Sequence, residues 1–237
     1  MPNNYFQFKK FSIEQDKCAM KVGTDGVLLG AWVNVNNVRR ILDVGTGTGL
    51  IAIMLAQRSV AIIDAVEIEK VAAKQAKENI LNCPWKNRIN IYPISLQDFI
   101  KGDKDEYDLI VSNPPFFTNS YANTYSERKL ARHDDMLNID YLFSSSRELL
   151  SKKGRFAIIY PSAMLNAILG KAAICKLHLI RLTEVFPTPE KKSNRILAEF
   201  SFQEGRIEKN NIIIEDHGRH KYSKEYVEMT KDFYMNF

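Results

Sequence analysis

A chain of 237 residues, 45% hydrophobic and 26% charged, suits one globular α/β domain with room for small additions. It lacks an apolar run near the ~18 residues of a membrane helix, and its opening MPNNYFQFKKF lacks a secretory apolar stretch, so a cytoplasmic protein without a membrane partner is expected. A net charge of +5 is compatible with nucleic acid without establishing it, and Cys18, Cys83 and Cys175, far apart with no CxxC pair, argue against a disulfide framework or zinc site.

Residues 1–35 read as an N-terminal extension ending in MKVGTDGVLLGAW, and 36–237 as the main domain with C-terminal additions. From Arg40 onward the pattern alternates. RILDVG is a short buried strand, and GLIAIMLAQR a helix. AIIDAVEI is a second strand, followed by the helix EKVAAKQAKENILN with Ile68, Ala72, Ala76 and Ile80 on one face. RINIYPI and YDLIVSN follow as strands three and four. Residues 116–135, directly after two prolines, are a loop of functional length. A helix near 137–152, the strand GRFAIIYP, a helix near 162–175 and the strands LIRLTEVF and ILAEFSF complete the alternation. Beyond them lie NIIIED, the turn HGRH and a short helix, SKEYVEMTKDFYMNF, with Ser223 as its N-cap. His217 and His220 come with no Cys or acidic cluster and read as a solvated turn, so no metal is expected. Strands separated by helix-length segments predict a doubly wound, mostly parallel α/β sheet of seven strands.

Two motifs carry chemistry. LDVGTGTGL places Gly45, Gly47 and Gly49 between the first strand and its helix, where glycine lets the backbone turn sharply and approach a ligand. The spacing is GxGxG rather than the GxGxxG of dinucleotide binders, and Asp43 before the turn suits an ammonium group better than a pyrophosphate. Glu67, ending the second strand, can accept from both ribose hydroxyls of an adenosine, and Asp98, after the third, from an adenine amino group. Together these groups describe a pocket for an adenosine bearing a charged amino-acid tail, which is S-adenosylmethionine.

The second motif, Asn113-Pro114-Pro115-Phe116, ends the fourth strand. That strand is expected beside the first, at the topological switch point. Proline fixes φ and restrains the residue before it, making the turn stiff. The Asn113 amide oxygen and the Pro114 carbonyl can accept both N–H hydrogens of a planar amino group, while Phe116 offers a face for a base to stack on. Such a clamp favours a tetrahedral nitrogen with its lone pair aimed at the activated methyl.

LDVGTGTG and NPPF resemble the cofactor and catalytic motifs of class I S-adenosylmethionine-dependent methyltransferases acting on amino groups. KVGTDGVLLGAW, VSNPPFF, VFPTPEKKSNRILAEF and YSKEYVEMTKDFY extend the resemblance, over nearly the whole chain, to the bacterial tRNA1(Val) adenine-N6 methyltransferase family. The resemblance implies methylation at N6 of the adenosine 3′ to the anticodon, with Asn113 to Phe116 as the catalytic motif and Asp43, Gly45, Gly47, Gly49, Glu67 and Asp98 as the cofactor pocket. Lys21, Thr24 and Asp25 match the family's N-terminal loop, which is expected to close over the methionine end of the cofactor. Phe117, Arg128, Lys129, Arg132 and His133 in the long loop, with Lys191, Lys192 and Arg195, are the expected contacts to tRNA. A monomer is favoured. Rival substrates are a release-factor glutamine amide and an rRNA guanine N2. Enzymes of the first kind usually carry a helical domain before the glycine turn, and those of the second often an RNA-binding domain; this chain has room for neither. A further alternative, a binding module without catalysis, would have no use for the amino-group clamp.

Overall fold

The structure, a computed structural model, describes residues 4–102, 106–115 and 138–237. Five strands pair in parallel: Arg40–Val44 (β3), Ile62–Val66 (β4), Ile89–Tyr92 (β5), Tyr107–Ser112 (β6) and Leu150–Pro161 (β7). Arg195–Ser201 (β9) lies antiparallel between β7 and His178–Phe186 (β8). Glu208–Ile213 (β10) adds parallel to β8, giving the order β10-β8-β9-β7-β6-β3-β4-β5. Among the described residues the sheet therefore has eight strands rather than seven: the stretch leading into NIIIED joins its edge. Tyr5–Gln7 (β1) and Ser12–Glu14 (β2) pair as a separate antiparallel hairpin.

Strand residues alternate between two helical layers, as the period of two requires. Ile41, Ile63, Leu109 and Val111 face a layer that includes Thr24–Trp32 (α1), Leu50–Arg58 (α2) and Lys70–Leu81 (α3). Leu42, Ile110, Phe156 and Ile158 face Leu96–Ile100 (α4), Ile139–Leu149 (α5) and Leu165–Ile174 (α6). The last helix, Lys224–Thr230 (α7), is capped by Ser223, whose Oγ accepts from the Tyr226 N–H, as its sequence predicts. In α3, Ala72, Ala76 and Ile80 are buried. Ile68 is not part of that face: the helix begins at Lys70, and Ile68 precedes it, 42% exposed.

The N-terminal extension is part of the main core. Phe8 and Ile13 are fully buried beside Val27, Leu28 and Ile41. Two polar residues on the inner face of α3 hold it there. Asn79 Oδ1 accepts from the Glu14 N–H at 2.9 Å while its Nδ2 donates to the Glu14 and Thr48 carbonyls. Gln75 Oε1 accepts from the Lys17 N–H at 3.1 Å. One side chain thus ties both the extension and the glycine turn to the same helix.

Candidate active site

The strand order changes direction at β3, with β4 on one side and β6 on the other, so the crevice opens where β3 and β6 end. The sequence expects the glycine turn and Asn113 to meet there, and they do. Gly45, Gly47 and Gly49 all have positive φ (71°, 57° and 82°), a region that residues with a Cβ rarely adopt. Val66 O accepts from the N–H groups of Gly45 and Thr46, pinning the turn to the end of β4. Ser112 Oγ donates to Val44 O at 2.8 Å, joining the ends of β6 and β3.

Asp43 is completely buried. Its Oδ2 accepts from Thr46 Oγ1 at 2.6 Å and from the Ala52 N–H at 3.1 Å, so it braces the turn against the start of α2. Its Oδ1 is buried and accepts nothing from the described residues. Burial pushes this carboxyl up to about 7, against the partial offset of those two hydrogen bonds. Glu67 is 9% exposed; its oxygens accept from the Gly47 N–H at 2.8 Å and the Glu69 N–H at 2.9 Å, and burial raises its pKa too. Each carboxylate oxygen has two lone pairs, so both groups keep capacity for a ligand.

At the end of β6, Asn113 is half-buried and Pro114 buried. Asn113 Oδ1 is enclosed yet has no hydrogen-bond partner among the described residues. A buried acceptor without a donor is costly, and two of them, on Asp43 and Asn113, are what a ligand carrying ammonium and amino donors would satisfy. The residues present therefore fit S-adenosylmethionine and an amino substrate.

Other expected site residues behave differently. Asp98 lies on the surface in the first turn of α4, where it accepts from Ser95 Oγ and Lys101 Nζ while Ser95 Oγ accepts from its N–H. The Lys101 and Ser95 contacts hold its carboxyl below the usual range. It serves visibly as part of a helix cap. Arg195 is directed toward Asp25, at 2.8 Å. Lys21 and Thr24 are exposed at the start of α1. Phe116, Phe117, Arg128, Lys129, Arg132 and His133 lie outside the described residues. Sequence reasoning passed over Thr46, Ser112, Gln75 and Asn79. For Gln75 and Asn79 a signal existed: two amides four residues apart on the apolar face of α3 imply buried partners.

A glycine turn and an Asn-Pro-Pro strand end meeting at the switch point of a doubly wound sheet define a class I methyltransferase architecture. A predicted O-methyltransferase from Agrobacterium tumefaciens has this fold, with a TM-score of 0.68 at 17% identity, covering 88% of this chain and 96% of that one. Residues 19–169 match the methyltransferase small domain family. Two curated relatives, from Parabacteroides distasonis (46% identity, 99% of each chain) and Bacteroides thetaiotaomicron (45%, 100% of this chain and 99% of the other), are both named tRNA1(Val) (adenine(37)-N6)-methyltransferase. The chain belongs to that family.

Proposed function

We propose that the protein methylates N6 of adenine 37 in tRNA1(Val), using S-adenosylmethionine. The observation that carries this reading is the Asn113 amide oxygen, buried without a partner among the described residues at the end of β6 and next to the glycine turn. S-Adenosylmethionine supplies an activated methyl on a sulfonium centre, so no strong base is needed before attack. What the protein must do is orient the amine. Asn113 Oδ1 and the Pro114 carbonyl accept the two N–H hydrogens, which draws the nitrogen lone pair out of conjugation. Phe116 stacks on the base, and the proton leaves after transfer, when the nitrogen is cationic.

In the cofactor pocket, Asp43 Oδ1 meets the ammonium group, Glu67 the ribose hydroxyls, and the backbone of Gly45, Gly47 and Gly49 the tail. Lys21 and Thr24 close over the methionine end, and Asp98 receives the adenine amino group by turning away from Lys101. Phe117, Arg128, Lys129 and Arg132 meet the tRNA. An anticodon-loop adenosine is already unpaired, so its extraction costs less than flipping a base from a duplex.

The test is transfer of labelled methyl from S-adenosylmethionine to unmodified total tRNA, followed by nucleoside analysis. New N6-methyladenosine confined to a valine tRNA is expected. Label on release factor or rRNA instead would retain the amino-group chemistry and overturn the substrate. Asn113→Ala should slow transfer about a hundredfold or more while cofactor affinity persists; unchanged turnover would remove Asn113 from the reaction.

A further inference from the structure

Arg195 is a basic residue that its sequence context assigns to RNA, yet its guanidinium faces the protein. Its Nε donates to Asp25 Oδ2 at 2.8 Å, and the two side chains are only 29% and 25% exposed. Asp25 lies in the first turn of α1, whose N-cap, Gly23, has no side chain with which to anchor it. The next residue, Gly26, packs closely: a Cβ there would lie 3.1 Å from Leu50 Cδ2 and 3.9 Å from Asn113 Nδ2. The first turn of α1 thus backs both the start of α2 and the catalytic amide.

The other end of α1 is held by three arginines. Arg58 donates to the Gly30 and Val33 carbonyls, Arg155 to Asn34 and Arg181 to Trp32. At the catalytic end, the Asp25–Arg195 pair plays the corresponding part. Arg195 opens β9 in register with Pro161 and Val185, at the end of the sheet where β6 delivers Asn113. It also directly follows the loop bearing Lys191 and Lys192.

We propose that Asp25 and Arg195 form a positioning pair that fixes the first turn of α1 behind the Asn113 carboxamide and steadies the Lys21–Thr24 segment, rather than Arg195 contacting RNA. This inference rests on the methyl-transfer reading above.

A double-mutant cycle tests it, with Asp25→Asn, Arg195→Gln and the two combined. Calorimetry gives the S-adenosylmethionine Kd, filter binding the tRNA Kd, and single-turnover assays the transfer rate. Each single variant should weaken cofactor binding and slow transfer about five- to tenfold, and the double variant should be no worse than the worse single, because one interaction is lost in all three. The tRNA Kd should stay within about twofold. Arg195→Lys keeps the charge but not the forked geometry: positioning predicts a loss in cofactor affinity there too, whereas an RNA contact through charge predicts wild-type behaviour. It also serves if Arg195→Gln fails to fold. The proposal is overturned if Arg195→Gln weakens tRNA about tenfold while Asp25→Asn does not, if the single effects multiply in the double variant, or if cofactor affinity and rate do not change. Coupled cofactor affinities in an enzyme that labels no tRNA would uphold the pair and sink the substrate assignment.

Discussion

Asp43 combines two demands that pull its proton in opposite directions. Buried, and among the described residues engaged only at Oδ2, by Thr46 and Ala52, it is easier to fold neutral than charged. Its carboxyl is pushed up to about 7, above an unfolded value of about 3.9. The stability this group contributes is therefore complete below the unfolded value and lost as pH rises through about 7. On the function proposed above, cofactor binding runs the other way, because the carboxylate charge that would attract an ammonium exists above that pH. The expected outcome is a S-adenosylmethionine Kd that weakens by up to about tenfold per pH unit below 7, while the ligand-free protein's melting temperature gains from this group over the same interval. Asp43→Asn, nearly isosteric and able to accept the same two hydrogen bonds, should flatten both profiles. Calorimetric titrations and melts on either side of pH 7 measure this, and a flat affinity profile in the wild type would leave Asp43 as a brace for α2 alone. The sequence could place Asp43, Glu67 and Asn113 at neighbouring strand ends because the alternation fixes where those strands lie. It could not say that Asp98 would cap its own helix or that Arg195 would turn to Asp25. Both are choices among partners, and the latter is made across a separation of 170 residues.

Among the elements, β6 and β7 are joined with an irregularity that one glycine permits. Tyr107 pairs with Leu150 but Leu109 with Arg155, so the chain before Arg155 bulges out. At Gly154 a Cβ would stand 2.6 Å from Tyr107 O and 3.0 Å from Ser151 O, both backbone atoms that cannot rotate away. Gly154→Ala should cost about 2–3 kcal/mol and lower the melting temperature by about 4–12 °C. The site should still assemble, since Asn113 lies at the far end of β6. Gly170→Ala provides the contrast. It is exposed within α6 with open space around it, and the better helix former should stabilise by about 0.5–1 kcal/mol. Equal melts for the two variants would show that the β6–β7 bulge adapts freely. The same bulge explains why the start of β7 reads from sequence at Gly154 and not at Leu150: Lys152 and Lys153 interrupt the apolar alternation. β1 and β2, of three residues each, and α4, of five, are too short for any period to show. Longer, strongly periodic segments such as α2, α3 and β6 were readable almost to their ends. What holds the extension in place was not, because the Asn79 and Gln75 bonds cross 65 and 58 residues.

Across the molecule, Glu199 links the sheet to α1. On β9 and 2% exposed, it accepts from Arg155 Nη1 at 2.7 Å and Arg181 Nε at 3.0 Å. Arg181 also lies over the Trp32 ring, 3.6 Å from its centroid, and Trp32 Nε1 donates to Thr183 Oγ1 at 2.9 Å. Arg155 continues to the Asn34 carbonyl. Three strands and the C-terminal end of α1 thus converge on one carboxylate. Glu199→Gln would leave two largely covered guanidiniums facing a neutral amide, in a chain whose net charge of +5 already disfavours unpaired cations. Breaking a buried pair from one side costs about 3–5 kcal/mol, which for a chain of this size lowers the melting temperature by roughly 6–20 °C. The salt response separates a buried network from a surface one. Screening acts over ~10 Å of solvent at 0.1 M salt and far less between covered groups, so the gap between wild type and variant should survive high salt. A gap below about 0.5 kcal/mol, or one that salt erases, would mean that Glu199 behaves as a surface ion pair and that the C-terminal end of α1 is held by its other contacts.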